Sequence, residues 1–164
     1  MRNLIFNCSI NYQLTARVLK SASMKALLIL AFAFSFNAYA EPNLDAYKGK
    51  FVYVDFWASW CTPCLASFPW LNQVHEKYKT QNFVVVGVNV DKKKELAENF
   101  LAEHPAKFPV VYDPSGSLAK KYKVEGMPYS IVLDPNGNVV HRHTGFESDQ
   151  TAAYNKAIEA VLKN

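Results

Sequence analysis

The sequence predicts an α/β domain in which a central mixed β-sheet is flanked by helices. Residues 51–57 and 82–91 are apolar on both alternating sides, as in buried strands, and residues 65–78 between them have helical spacing. Such a β-α-β unit implies parallel strands with a right-handed crossover. Residues 129–143 then resemble two strands around the hairpin turn Asp-Pro-Asn-Gly at 134–137, which adds antiparallel pairing.

The remaining elements follow from local patterns. The first helix is predicted from a single apolar face, which consists of Leu65, Phe68, Leu71, Val74 and Tyr78. This helix should start at Cys61, because Pro63 suits a first helical turn, and Pro69 should kink it. In order, the rest of the chain predicts a charged helix over 92–104, an extended segment over 108–112, a short helix over 117–122 and an amphipathic helix over 151–162.

The charge of the chain gives no argument for binding nucleic acid. The sequence has 18 basic and 14 acidic residues, but four of the basic ones lie in residues 1–40, which contain no acidic residue. Residues 41–164 are therefore formally neutral and have no basic stripe, so we predict no nucleic-acid partner. Their length and apolar content suit one domain with its own core.

Residues 1–40 predict a leader with a cleavable signal peptide. Met24 and Lys25 precede an apolar run over 26–36, and a small-x-small site, Ala-Tyr-Ala, follows at 38–40. The expected true start is Met24, which would remove Cys8 from the protein. We therefore expect a periplasmic protein, with an uncleaved N-terminal membrane anchor as the alternative.

Two cysteines, Cys61 and Cys64, lie three positions apart at the start of the first helix. This spacing places both on one side of a helical turn, so their sulfur atoms can form a disulfide. A structural staple is the alternative interpretation, but so small a loop adds little stability, which favours redox chemistry. A helix N-terminus favours the thiolate, so we expect Cys61 to be the nucleophile and Cys64 the resolving thiol.

Asp55 is a candidate for proton transfer because it interrupts the apolar run of the first strand. Burial there should raise its pKa and allow it to take up and return the proton of Cys64. The alternative is an acid near a strand end that still reaches water.

A metal site is the less favoured interpretation of the histidines and cysteines. His141 and His143 share one side of a strand, but no third ligand is evident, which favours an exposed strand face. Two thiolates, those of Cys61 and Cys64, suit zinc or copper(I), yet tetrahedral zinc needs two more ligands. We predict neither metal nor cofactor. Trp57 and Trp60 are expected to be packing residues, with Trp60 also lining the dithiol surface.

Several motifs together resemble the thioredoxin superfamily. Residues 54–64, Val-Asp-Phe-Trp-Ala-Ser-Trp-Cys-Thr-Pro-Cys, resemble its active-site stretch. Four further segments resemble the exported TlpA/ResA-like branch: 86–91, 108–116, 126–128 and 131–137. The resemblance covers residues 45–164 and implies a thioredoxin fold, with thiol-disulfide oxidoreductase activity. It further implies a cis Met127–Pro128 bond packed against the disulfide, where the Met127 backbone would pair with substrate, and supporting roles for Trp60, Thr62 and Pro63.

Two departures from that branch bear on its specificity. Only about ten residues separate the predicted mature start from Phe51, so the N-terminal hairpin usual in the branch is expected to be missing. The branch also tends to have a glutamate two residues before the helix proline, where this chain has Ser67. Asp55 supplies an acid instead, as in general thioredoxins.

The predicted function is that of a monomeric reductant of protein disulfides, with cytochrome c or copper-site proteins as clients. Thr62 and Pro63 lack the histidine found between the cysteines of strongly oxidising relatives. By resemblance, such a reductant is recharged by a membrane electron donor of the DsbD kind. The alternatives are a copper metallochaperone and a general disulfide isomerase or oxidase. A peroxiredoxin is disfavoured because Ala58 stands where its threonine is expected.

Overall fold

The computed structural model describes residues 41–163, and it confirms a mixed sheet flanked by helices. The strands are β1 (Phe51–Trp57), β2 (Phe83–Asn89), β3 (Val110–Tyr112), β4 (Tyr129–Leu133) and β5 (Val139–Thr144). The helices are α1 (Thr62–Tyr78), α2 (Lys94–Glu103), α3 (Ser117–Lys121) and α4 (Thr151–Leu162), with 3-10 turns at Asp45–Tyr47 and Ser148–Gln150. The predicted leader, including Met24 and Cys8, lies outside the described residues.

The sheet has the strand order β3-β2-β1-β4-β5, with β1 in the centre. β1 pairs in parallel with β2, and β2 pairs in parallel with β3, as the β-α-β pattern predicts. β4 is antiparallel to both β1 and β5. Its pairing with β5 follows from the tight turn at 134–137, which reverses the chain. Within residues 41–163, no strand precedes β1, and no helix is both long and apolar enough to cross a membrane.

The alternation of side chains along β1 separates two cores. Tyr53 and Trp57 belong to a cluster with residues of α1, α2 and α4, so these three helices cover one face of the sheet. Val54 and Phe56 point to the opposite face and pack with residues of α3 and of the segment before β1. Asp55 lies between Tyr53 and Trp57 on the helix-covered face, and that face also holds both cysteines.

The first helix, α1, buries the predicted apolar face except at Leu65, which is exposed. Pro69 lies inside α1, and the helix continues past it to Tyr78. Trp57 of β1 packs beneath this helix against Phe68. A β-carbon at Gly87 would lie 3.0 Å from the indole Nε1 of Trp57, so glycine at this position makes room for the indole.

The prediction of an exposed face for the two β5 histidines is wrong. Val140, Arg142 and Thr144 are the exposed residues of β5, whereas His141 and His143 are partly buried. The reason is that α4 packs over the side of β5 that carries His143, whose ring centroid lies 4.5 Å from that of Tyr154.

Candidate active site

The two cysteines of the helix start form a disulfide, with their Cα atoms 5.3 Å apart. Cys61 is the N-cap residue of α1, and its sulfur accepts a hydrogen bond from the Cys64 amide at 3.3 Å. Because unpaired amides and the helix dipole meet at this end, it is an environment that favours a thiolate. Cys64 is fully buried and Cys61 is 5% exposed, so Cys61 is the sulfur nearer to solvent.

The surface around the disulfide is formed by residues just before and within the first helical turn. Trp60 is 69% exposed, so the prediction that it is a packing residue is wrong, whereas Trp57 is fully buried as predicted. Trp60 lies in the turn between β1 and α1. Thr62 and Pro63 are also exposed, so the cysteine loop presents its backbone and an indole to solvent.

The Met127–Pro128 peptide bond is cis. Pro128 is buried, and its carbonyl accepts a hydrogen bond from the Gly145 amide at 2.8 Å, which attaches this loop to the end of β5. Met127 is half-buried and packs against the cluster that contains Cys61 and Cys64. The loop and the disulfide, which are more than 60 residues apart in the chain, thus share one hydrophobic cluster.

Asp55 is 2% exposed, and burial raises its pKa to about 7. The Ser130 hydroxyl donates a hydrogen bond to Oδ1 of Asp55 at 2.9 Å, which partly opposes that rise. The second carboxylate oxygen, Oδ2, is buried without a hydrogen-bond partner in the described residues. A buried carboxyl group in this state can change its protonation near neutral pH, which suits a proton acceptor. Sequence reasoning missed Ser130.

Ser67 occupies the position where the TlpA/ResA-like branch tends to have glutamate. It is buried, and its hydroxyl donates a hydrogen bond to the Cys64 carbonyl at 2.8 Å. This bond lies within α1 and brings no charge to the cysteines. Asp55 is therefore the acid on the sheet face that holds the cysteine pair.

A second buried acid, Asp91, holds the loop before the cysteines, and sequence reasoning missed its role. Its carboxylate accepts hydrogen bonds from the Ser59 amide at 2.9 Å and from the Ser59 hydroxyl at 3.0 Å. It also accepts one from the Asn89 side chain at 2.8 Å. Since Ser59 is two residues before Cys61, these bonds position the turn that starts α1. The only signal in the sequence is that two polar residues, Asn89 and Asp91, stand at the end of the apolar strand β2.

We expect Asp91→Ala to lower the free energy of unfolding by about 3 kcal/mol, because the part-buried Ser59 amide and the buried Asn89 side chain lose their acceptor. Asp91→Asn is the matched control. It keeps one carboxamide oxygen for those two donors, and it should recover most of the loss. Urea unfolding of the oxidised proteins measures the free energy of unfolding of both variants. Equal stability of the alanine variant and the wild type would show that Asp91 does not hold the loop.

Residues 41–163 contain no group of three or more histidine, cysteine or acidic side chains arranged to hold a metal ion. Within this described range, His141 and His143 therefore have no third ligand of these types, and neither do Cys61 and Cys64.

A disulfide that opens the helix after a central strand, opposite a cis-proline loop, defines the thioredoxin class of redox protein. The chain belongs to the Redoxin family, whose model matches residues 34–161. It is 33% identical over 117 residues to the thiol-disulfide oxidoreductase ResA of Bacillus thuringiensis subsp. konkukian, covering 71% of this chain and 68% of that protein. It is 35% identical over 103 residues to ResA of Bacillus subtilis, covering 63% of this chain and 58% of that protein.

Among solved structures, the chain resembles a candidate thiol:disulfide interchange protein DsbE from Chlorobium tepidum. The TM-score is 0.69 at 48% identity, and the match covers 71% of this chain and 83% of that chain. These similarities confirm the predicted thioredoxin fold and the TlpA/ResA-like relationship. The protein is a thiol-disulfide oxidoreductase of this superfamily, as predicted.

Proposed function

We propose that this protein is an exported reductant of protein disulfides, in which Cys61 attacks, Cys64 resolves and Asp55 exchanges a proton. The surroundings of the Cys61 sulfur carry this proposal. Within the described part of the chain, its hydrogen-bond partner is the Cys64 amide, and neither Thr62 nor Pro63 brings a positive charge. A cysteine pair becomes strongly oxidising when its reduced form is specially stabilised. Among residues 41–163, the feature next to Cys61 that favours the thiolate is the helix N-terminus, which supports a reductant rather than a strong oxidant.

The reaction consists of two exchanges. The Cys61 thiolate attacks one sulfur of the client disulfide, forms a mixed disulfide and expels the other client sulfur as a thiolate. Cys64 then gives its proton to Asp55 and attacks the Cys61 sulfur. This step forms the Cys61–Cys64 disulfide and releases the second client thiolate. Two electrons pass from the dithiol to the client, and the released thiolates take up protons from solvent.

The exposed residues around the disulfide support a role in binding the client. Trp60 offers an uncovered indole beside Cys61, and Met127 is half-buried against the same cluster. An extended client segment between them would place its sulfur at Cys61, with the Met127 backbone as its hydrogen-bonding partner. Thr62 and Pro63 would line the approach to Cys61.

The cellular setting is a further part of the proposal, and it rests on residues 1–40 and on resemblance. The charged start at Met24 and Lys25, the apolar run and the Ala-Tyr-Ala site support export to the periplasm, with an uncleaved anchor as the alternative. In that oxidising compartment, the dithiol needs a membrane donor of the DsbD kind, which returns two electrons. The clients would be cytochrome c or copper-site proteins, and the protein would act as a monomer.

The reduction potential of the Cys61–Cys64 pair tests the direction of electron flow. We expect a value near that of thioredoxin, about −270 mV, from equilibration with glutathione or dithiothreitol buffers. Pro63→His is a matched variant, because a cationic ring next to Cys64 stabilises the reduced form. It should raise the potential by tens of millivolts. A wild-type value near −120 mV would identify an oxidant instead.

A further inference from the structure

Three residues on neighbouring strands form a row across the sheet. Asp55 of β1 is the register partner of Ser130 of β4, and Ser130 is the register partner of His143 of β5. Register partners point to the same face, with their β-carbons about 5 Å apart. The row therefore runs from the strand beneath the disulfide to the edge strand, on the face covered by α1 and α4.

The row contains two of the three buried polar side-chain atoms that have no hydrogen-bond partner within residues 41–163. These are Oδ2 of Asp55 and Nε2 of His143, and the third is Nε1 of Trp57. Ser130 lies between the two, and its hydroxyl already donates to Oδ1 of Asp55. Buried polar atoms without partners are rare in folded proteins, so two in one row call for a functional explanation.

His143 connects the row to solvent, since its side chain is only partly buried. A backbone hydrogen bond at Gly145 engages the ring, and because Nε2 has no partner, that bond falls to Nδ1. A neutral imidazole has one donor and one acceptor, so the ring presents Nε2 as its acceptor. Burial lowers the pKa of His143, which keeps the ring neutral and able to accept a proton.

Other titratable groups face this row from each neighbouring element. The charge of His141 also lowers the pKa of His143, whereas the charge of Glu147 raises it. From β1, Tyr53 faces Asp55, and burial together with the charge of Asp55 raises the pKa of Tyr53. From α4, Tyr154 packs on the His143 ring. The two tyrosines are neutral near pH 7, so the charges that act on His143 are that of Glu147 and that of any protonated His141.

We propose that Ser130 and His143 carry the proton between Asp55 and solvent at the β5 edge. This inference rests on the proposed function, in which Asp55 receives the proton of Cys64. Protonated Asp55 then gives that proton to the Ser130 oxygen. The Ser130 side chain turns from Oδ1 of Asp55 toward β5, and its hydroxyl proton passes to Nε2 of His143, which has no other hydrogen-bond partner within residues 41–163. Because Nε2 is buried, the imidazolium releases its Nδ1 proton on the partly exposed side of the ring, and Asp55 is back in its carboxylate form. A turn of the neutral ring then restores the Nδ1–H tautomer with Nε2 as the acceptor. No electrons move in these steps, and each group ends in its initial protonation state.

His143→Gln and His143→Ala test the relay, with His141→Gln as the matched control on the same strand and face. His141 is the register partner of Val132 and so lies outside the row. The measurement is the rate of protein-disulfide reduction between pH 6 and 9, with its solvent deuterium isotope effect. We expect both His143 variants to be slowed about fivefold with an altered pH profile, and imidazole to restore His143→Ala. His141→Gln removes a charge that lowers the pKa of His143, so it should move the pH profile slightly but stay within about twofold of the wild type at the fastest pH.

The outcomes separate the relay from the proposed function. If His143→Gln matches the wild type in rate and pH profile while Asp55→Asn is slow, the relay is wrong and the role of Asp55 stands. If the His143 variants are slow but imidazole has no effect and the isotope effect is unchanged, His143 is structural and the relay is again wrong. A wild type that reduces no protein disulfide contradicts the proposed function and the relay together.

Discussion

Cys64→Ser is expected to trap Cys61 in a mixed disulfide with its client. Cys61 is the N-cap residue nearer to solvent, whereas Cys64 is fully buried, so client sulfur reaches Cys61 first. A serine hydroxyl cannot displace the client thiolate, so the intermediate persists. Catalysed reduction of insulin by dithiothreitol should fall on the order of 100-fold, and intact-protein mass spectrometry should show the adduct.

Cys61→Ser is the matched control, because it removes the attacking sulfur and keeps the buried one. It should be equally inactive but form no adduct, since Cys64 is shielded below the first turn of α1. An adduct on Cys64 in that variant would reverse the two assigned roles. Turnover by Cys64→Ser at the wild-type rate would rule out the dithiol mechanism itself.

Asp55→Asn is expected to remove a pH dependence of stability. Because burial raises the pKa of Asp55 to about 7, the folded protein holds a proton that the unfolded chain releases near its ordinary value of 3.8. Between these two values the folded state binds more protons, so wild-type stability should fall as the pH rises and level off above about 7. The loss attributable to Asp55 is at most about 4 kcal/mol. Asparagine still accepts the Ser130 hydrogen bond and carries no charge.

Urea unfolding of the oxidised proteins at pH 4 and pH 8 measures this effect. The variant and the wild type should be similar at pH 4, and Asp55→Asn should be the more stable at pH 8, by about 2–4 kcal/mol. Asp134→Asn is the control, because hydrogen bonds from Asn138 lower the pKa of that exposed acid, so its loss brings no gain at pH 8. If the free energies of unfolding of Asp55→Asn and the wild type change with pH in parallel, the pKa of Asp55 is not raised in the folded protein.

Much of this architecture could be predicted because it depends on short-range patterns. The strands β1 and β2, the hairpin at 134–137 and the helix start at Cys61 each follow from spacing or turn chemistry within about ten residues. The predictions of side-chain exposure were wrong where burial depends on an element that is distant in the chain. His143 is shielded by α4, whereas Trp60 is 69% exposed in the turn between β1 and α1. Neither outcome has a local signal in the sequence.

The sequence by itself determined the chemistry of the site: two thiols on one helical turn, an acid in the preceding strand, and the fold class that brings them together. The tertiary structure decided which polar groups form hydrogen bonds with the acids of the site and of the loop before the cysteines. Ser130 reaches Asp55 across 75 residues of chain, and Ser59 reaches Asp91 across 32. These contacts depend on strand register and on the loops that set it. Burial then raises the pKa of Asp55, because a carboxylate enclosed by packed strands and helices loses its hydration.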